Sequence, residues 1–325
     1  MKPYPWQKKQ WEKIQTSIQA GKIPHALLLI GPQGLGKKSF ANAIAYDLFC
    51  ESKINQIACG KCGACHLLKN NSHPDLKQVN LVDKKQSIGI DQIRALIEYV
   101  NLTPHSAKRK IIIIENAESM TVQASNSLLK TLEEPPPSAI IILVTNRPDR
   151  LLATIRSRCQ TIEFSPPEID LAESWLQEKL KSKDQIKPLL AFANNAPLLA
   201  EQFAKQNVLD ERNALFSDLM TISQGQTNIV KVAQSWLKKD WDLTLYCLTG
   251  WVVDMIRLKL SPKPPGLSNP DLKQAMLKLN QPGSLKSQLI FYQHLVELNE
   301  MKLANINVQL MLEDTLIRWK KLTTT

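Results

Sequence analysis

Residues 24–40, PHALLLIGPQGLGKKSF, constrain what this chain can fold into more than any other stretch. An apolar run at 27–30 feeds a glycine-rich turn and then a helical pattern, the order in which a chain builds a cradle for phosphate. Gly31, Gly34 and Gly36 can take positive φ and bring backbone N–H groups close to an anion. Lys37 stands where a lysine reaches the β- and γ-phosphates of a nucleotide. The pattern G-x-x-x-x-G-K-[ST] then fails at its last position. Lys38 replaces the hydroxyl that holds Mg²⁺, and Ser39 lies one residue late, about 100° further round the helix. A nucleotide-binding fold is therefore more firmly written here than nucleotide chemistry.

Strand and helix patterns alternate around this loop. Residues 1–22 read as a helix with Trp6, Trp11, Ile14 and Ile18 on one face, and a helix is expected over 37–49. Residues 76–82 read as a strand. Asp91 is the expected N-cap of a helix over 92–100, whose Ile93, Leu96, Ile97 and Val100 form an apolar stripe. Residues 111–114 are apolar throughout and 139–145 are apolar up to the closing Thr145, as strands covered on both faces are. The helix expected between them, 123–134, is stopped by Pro135, Pro136 and Pro137. Residues 161–164 would be the last strand. Such alternation implies an α/β fold, a parallel sheet with helices on both faces. After Ser165-Pro166-Pro167 nothing reads as a strand. Helices are expected over 171–181, 184–193 and 197–206. Longer ones run through Trp236, Trp251 and Phe291 to Trp319, and Pro262, Pro264, Pro265 and Gly266 break that last region in two. The expected division is an α/β domain over 1–165, a small helical domain over 166–207 and an all-helical domain over 208–325.

With 325 residues and 43% hydrophobic composition, the chain has material for two or three domains with real cores. No apolar run approaches the ~20 residues of a membrane span, and the start, MKPYPWQKKQW, lacks the apolar core of a signal peptide, so a cytoplasmic protein is expected. The net charge is +11, and residues 1–165 hold 22 Lys and Arg against 13 Asp and Glu. A surplus of that kind attracts nucleic-acid phosphates; it is also what a plain solvated surface looks like.

Three constellations carry chemistry. The strand at 111–114 runs into Glu115-Asn116-Ala117-Glu118, where a P-loop protein places an Asp that helps hold Mg²⁺ and, in many ATPases, a Glu that polarises the attacking water. A longer carboxylate misplaces the metal contact, and the Asn116 amide cannot accept a proton at neutral pH. Cys50, Cys59, Cys62 and Cys65 give C-x8-C-x2-C-x2-C, a module over 50–65 inserted in the α/β domain. Four thiolates close a tetrahedron around Zn²⁺ and leave no open position, which makes a structural site. A ferredoxin pattern would need Cys-Pro where Lys69-Asn70 stands; a redox dithiol is the remaining rival. His66 and His73 lie close by but read as ordinary polar residues, since four cysteines suffice. Arg158, in Ser157-Arg158-Cys159, ends the α/β domain, either as a loop arginine that is solvated or in a surface salt bridge, or as an arginine finger for a neighbouring subunit.

With those residues in view, the chain resembles the clamp-loader subunits of bacterial DNA polymerase III, in the AAA+ class, and among them the delta-prime family. The resemblance rests on PHALLLIGPQGLGK at 24–37, the cysteine set, HPD at 73–75, IGIDQIR at 88–94, NSLLKTLEEPP at 126–136, SRC at 157–159 and LEDTLIRW at 312–319, and so covers the whole length. The related gamma/tau subunits keep the P-loop hydroxyl, an Asp-Glu pair and an arginine in the second domain. Here Lys38, Glu115-Asn116 and Leu198 stand in those places. The resemblance implies a non-hydrolysing subunit of a five-membered ring with gamma/tau and delta, joined through a C-terminal helical collar. Arg158 would complete a neighbour's ATP site, and the ring would load the sliding clamp onto primed DNA. Lys37 survives, so ATP bound without turnover is compatible with that reading. Two alternatives stay open: an active AAA+ ATPase of gamma/tau type, and a zinc-dependent DNA-binding module on a relic fold.

Overall fold

The structure is a computed structural model that describes residues 2–54, 57–81, 87–105, 108–180, 182–301 and 307–324. It falls into two compact units, Met1–Pro167 and Glu168–Thr325. The first contains α1 (Lys8–Gln19), β1 (Ala26–Ile30), α2 (Lys37–Phe49), α3 (Gly63–Lys69), β2 (Leu76–Val79), α4 (Ile90–Asn101), β3 (Lys110–Ile114), α5 (Val122–Glu133), β4 (Ala139–Thr145), α6 (Ala153–Arg156) and β5 (Gln160–Glu163).

The five strands form one parallel sheet in the order β2-β3-β4-β1-β5. Every residue of β3 and β4 is buried, and so are the first four of β1. Burial on both faces is why 111–114 and 139–144 are continuous apolar runs with no polar alternation, with buried Lys110 and Thr145 at their ends. On one face Leu28, Ile112 and Ile141 pack with Ile93, Leu96 and Val100 of α4 and Leu128 and Leu132 of α5. In-register pairing of Ile30 with Thr145 and with Glu163 brings the carboxyl ends of β4, β1 and β5 together at the glycine loop. An open α/β sheet offers its ligand crevice at that edge.

Four local expectations need correction. The first helix runs only over Lys8–Gln19, because Pro5 opens a separate 3-10 turn, Pro5–Gln7; Trp6 therefore lies off the helix, while Trp11 and Ile14 are its buried residues. The N-cap of α4 is Gly89, not Asp91, which lies in the first turn. Gly89 N–H donates to Gln92 Oε1 at 3.1 Å, so the side chain three residues on closes the helix start. Thr121 caps α5 one residue earlier than expected, accepting from Ala124 N–H at 3.2 Å. His73 is a buried ring stacked on Phe49 with centroids 4.2 Å apart, not an ordinary polar residue. Val82 and Lys181, the expected ends of a strand and a helix, lie outside the described residues, as do residues 55 and 56 of the cysteine module.

The second unit is helical: α7 (Ile169–Gln177), α8 (Ile186–Phe192), α9 (Pro197–Lys205), α10 (Val208–Ser223), α11 (Ile229–Trp236), α12 (Trp241–Leu260), α13 (Lys273–Leu279), α14 (Leu285–Met301) and α15 (Val308–Thr324). One hydrophobic core runs through it from Ala172 to Leu322, with Trp251 and Trp319 fully buried. Arg212, 1% exposed, is neutralised by an ion pair with Asp271, donates to Asn269 Oδ1 at 3.2 Å and faces the Phe192 ring. Tyr246 Oη donates to Phe192 O at 2.6 Å. The turn between α9 and α10 is Asn207 in the left-handed region, φ 51°.

Candidate functional site

The glycine loop leaves β1 at Ile30 and enters α2 at Lys37, with Gly36 as N-cap at φ 81°. Two of its glycines are required by neighbours. A Cβ on Gly31, φ 143°, would lie 2.2 Å from Phe164 O, where the chain leaving β5 crosses the loop. A Cβ on Gly36 would lie 2.6 Å from the Tyr4 ring. The segment before α1 covers this loop: Trp6 Nε1–H donates to Leu35 O at 3.0 Å, and Gln7 Nε2–H donates to Leu35 O at 2.8 Å and Gly36 O at 3.0 Å. Tyr4 stacks on Trp6, with centroids 4.9 Å apart.

Lys37 does not extend toward solvent. Its ammonium donates to Gly31 O at 2.7 Å, Pro32 O at 2.6 Å and Asn146 Oδ1 at 2.8 Å, which occupies all three N–H groups. The residue is 4% exposed. Burial pulls its pKa down to about 8, and the carboxylate of Glu118 acts in the opposite direction. Glu118 Oε1 also accepts from Asn146 N–H at 3.2 Å. Lys38 Nζ lies 3.0 Å from Glu115 Oε1, so the residues at the positions of the Mg²⁺ hydroxyl and the metal-binding acid pair with each other. Asn116 sits at φ 49°, and its Nδ2–H donates to Asn80 Oδ1 at 3.1 Å.

The four cysteine sulfurs lie within 4.8 Å of one another, and none is in a disulfide. Cys59 Sγ accepts from Cys62 N–H at 3.3 Å and Lys61 N–H at 3.4 Å; Cys50 Sγ accepts from Cys59 N–H at 3.2 Å. Donors of this kind favour a thiolate, and Ser52 Oγ–H with these N–H groups draws the Cys59 pKa down to about 5. Burial raises the Cys50 pKa and pushes that of Cys65 up to about 12, so the four convergent sulfurs match a metal such as zinc as a donor set that the ion itself would deprotonate. Nearby, Asp75 is fully buried, accepts from His105 N–H at 2.7 Å and has Lys110 Nζ at 3.6 Å.

Arg158 follows α6. Its Nη1–H donates to Thr154 O at 2.9 Å, and Nη2 pairs with the carboxylate of Glu133, the last residue of α5. Cys159 beside it is buried. No role at the site was expected of Glu133, Asn146 or the Tyr4–Gln7 segment. Asn146 had a usable signal, as the first polar residue beyond an apolar strand; the other contacts join elements that no spacing relates.

A parallel sheet whose β1 ends in a lysine-bearing glycine loop, followed by a helical unit, is the architecture of the AAA+ class of P-loop proteins. Residues 6–168 match the family model described as DNA polymerase III, delta subunit, and residues 206–321 match that of its C-terminal part. The chain is 31% identical over 323 residues to DNA polymerase III subunit delta' of Pseudomonas aeruginosa, covering 98% of each chain. Similarity to DNA polymerase III subunit tau of Bacillus subtilis is 36% over 151 residues, covering 46% of this chain and 26% of tau. A gamma-subunit-related protein of known structure from Thermotoga maritima is a looser likeness, at 20% identity and TM-score 0.45 over 97% of this chain and 99% of that one. The chain belongs to the delta' family of DNA polymerase III subunits.

Proposed function

We propose that this chain works in the clamp loader as a subunit that does not hydrolyse ATP itself and lends Arg158 to the ATP site of a neighbouring gamma/tau subunit. One observation carries the first half: Lys38 is paired with Glu115 where a P-loop ATPase assembles its Mg²⁺. A metal held there would have to meet an ammonium in place of a hydroxyl, and no carboxylate at Asn116 would polarise water. The closed Lys37 contacts and the cover by Tyr4, Trp6 and Gln7 support the same reading. Nucleotide that binds Gly31, Gly34, Gly36 and Lys37 must first displace these contacts.

The second half is supported by position. Arg158 is in the SRC segment next to buried Cys159, and the fold's own nucleotide site is too altered to be its client. Cys50, Cys59, Cys62 and Cys65 would hold a structural zinc. The helical unit would act as a small domain to 207 and a collar from 208 that binds gamma/tau and delta, and the complex would place the sliding clamp on primed DNA. Steady-state hydrolysis by the isolated chain tests the first half. Turnover at background is expected, both for the wild type and for Lys38→Thr, because Asn116 still cannot polarise water. Hydrolysis at ordinary AAA+ rates would overturn it in favour of an active ATPase.

A further inference from the structure

The guanidinium of Arg158 is held at two ends: by Thr154 O at 2.9 Å on the short helix α6 before it and by the Glu133 carboxylate at the end of α5. Resting on the reading of Arg158 as a finger, we infer that Glu133 is its positioning residue: a carboxylate on a rigid helix that sets the plane of the guanidinium before a neighbour's phosphate arrives.

Three physical points carry this. First, α5 is a firm mount. Thr121 caps it, Leu128 and Leu132 bury it at 1% and 2% exposure, and it ends just before a proline run. Second, the helix itself gains nothing from Glu133. A carboxylate at a helix C-terminus faces the negative end of the macrodipole, so the charge is explained by its partner and not by α5. Third, a guanidinium has five N–H donors in one plane, and the contacts to Glu133, Thr154 and Ser157 account for three of them. The others share that plane and serve a phosphate without release of the anchor. Arginine carries large rotamer entropy, and a finger already oriented loses less of it in the transition state. Both side chains are part-exposed, at 34% for Arg158 and 47% for Glu133, so the gain is modest.

The test is a double-mutant cycle in the reconstituted complex with gamma/tau, delta and the sliding clamp: wild type, Glu133→Ala, Arg158→Ala and the double variant, read as KM and kcat for ATP and as clamp-loading rate. Glu133→Ala should lower the loading rate and kcat about two- to fivefold with KM for ATP unchanged, and should cause no further loss in the Arg158→Ala background. Glu133→Asp, which keeps the charge, should recover part of the loss. An equal loss in both backgrounds would show that Glu133 only supports the fold. A faster complex would show that it restrains the finger. If Arg158→Ala lowers loading and Glu133→Ala does not, positioning falls and the finger stands. If Arg158→Ala changes nothing, the finger reading falls and this inference with it.

Discussion

Gly31 is glycine because of a backbone oxygen. With Phe164 O at 2.2 Å from where a Cβ would sit, Gly31→Ala must push β5 away from β1, and φ 143° is strained for any L side chain besides. The expected cost is about 2–3 kcal/mol, in the upper range for single substitutions, measured by urea unfolding followed by circular dichroism. An unchanged midpoint would show that the loop does not hold this close approach. Lys37 offers a test of sign. Its folded pKa, about 8, is below the unfolded 10.5, so between those values the unfolded chain binds more protons than the folded one. The burial penalty is present in full below pH 8 and is relieved as pH rises through that window. Relative to Lys37→Met, the wild type should gain stability between pH 8 and 10.5 and show no trend below 8. Parallel pH profiles for the two proteins would contradict the burial of a charged Lys37.

The elements of the sheet were legible because the physics that forms them is local. Strands buried on both faces are apolar without interruption, and 139–145 is recovered to the residue. Helix starts were less legible: α4 is closed by the Gln92 side chain reaching back to Gly89, and a composition rule points instead to Asp91. In the site, the glycines and Lys37 could be read from spacing, but their partners could not. Asn146 comes from the end of another strand, Glu133 from another helix, and Tyr4 from a segment expected to be the start of the first helix. The cysteine module brings four sulfurs within 4.8 Å of one another. On the proposed reading it binds one zinc, and metal binding is folding free energy there. Freshly purified protein should contain close to one equivalent. Chelation or Cys62→Ser should speed amide exchange in α3 and leave β3 and β4 protected. Metal content below half an equivalent, or unchanged exchange on chelation, would count against a zinc module.

At the scale of the molecule, basic charge is concentrated in the half that holds the sheet. Of the +11 net charge, residues 1–165 supply nine, from 22 Lys and Arg against 13 Asp and Glu. Among the described residues no helix is long and apolar enough to cross a membrane. Both units match delta' family sequence, and the glycine loop is closed by the chain's own side chains: Lys37 is held by three oxygens and Lys38 is paired with Glu115. On the proposed reading, a site of this kind keeps its architecture in order to hold Arg158 against a neighbour. An arginine finger is worth ~10³ or more in turnover at the site it serves, and on the proposed reading this subunit would face a single ATP site. The most direct measurement is steady-state ATP hydrolysis and clamp loading by reconstituted complexes carrying wild type or Arg158→Ala. The account predicts a partial loss of ATPase and a more severe loss of loading in a ring that still assembles. Unchanged loading by a correctly assembled mutant ring would contradict it and leave Arg158 a surface residue paired with Glu133.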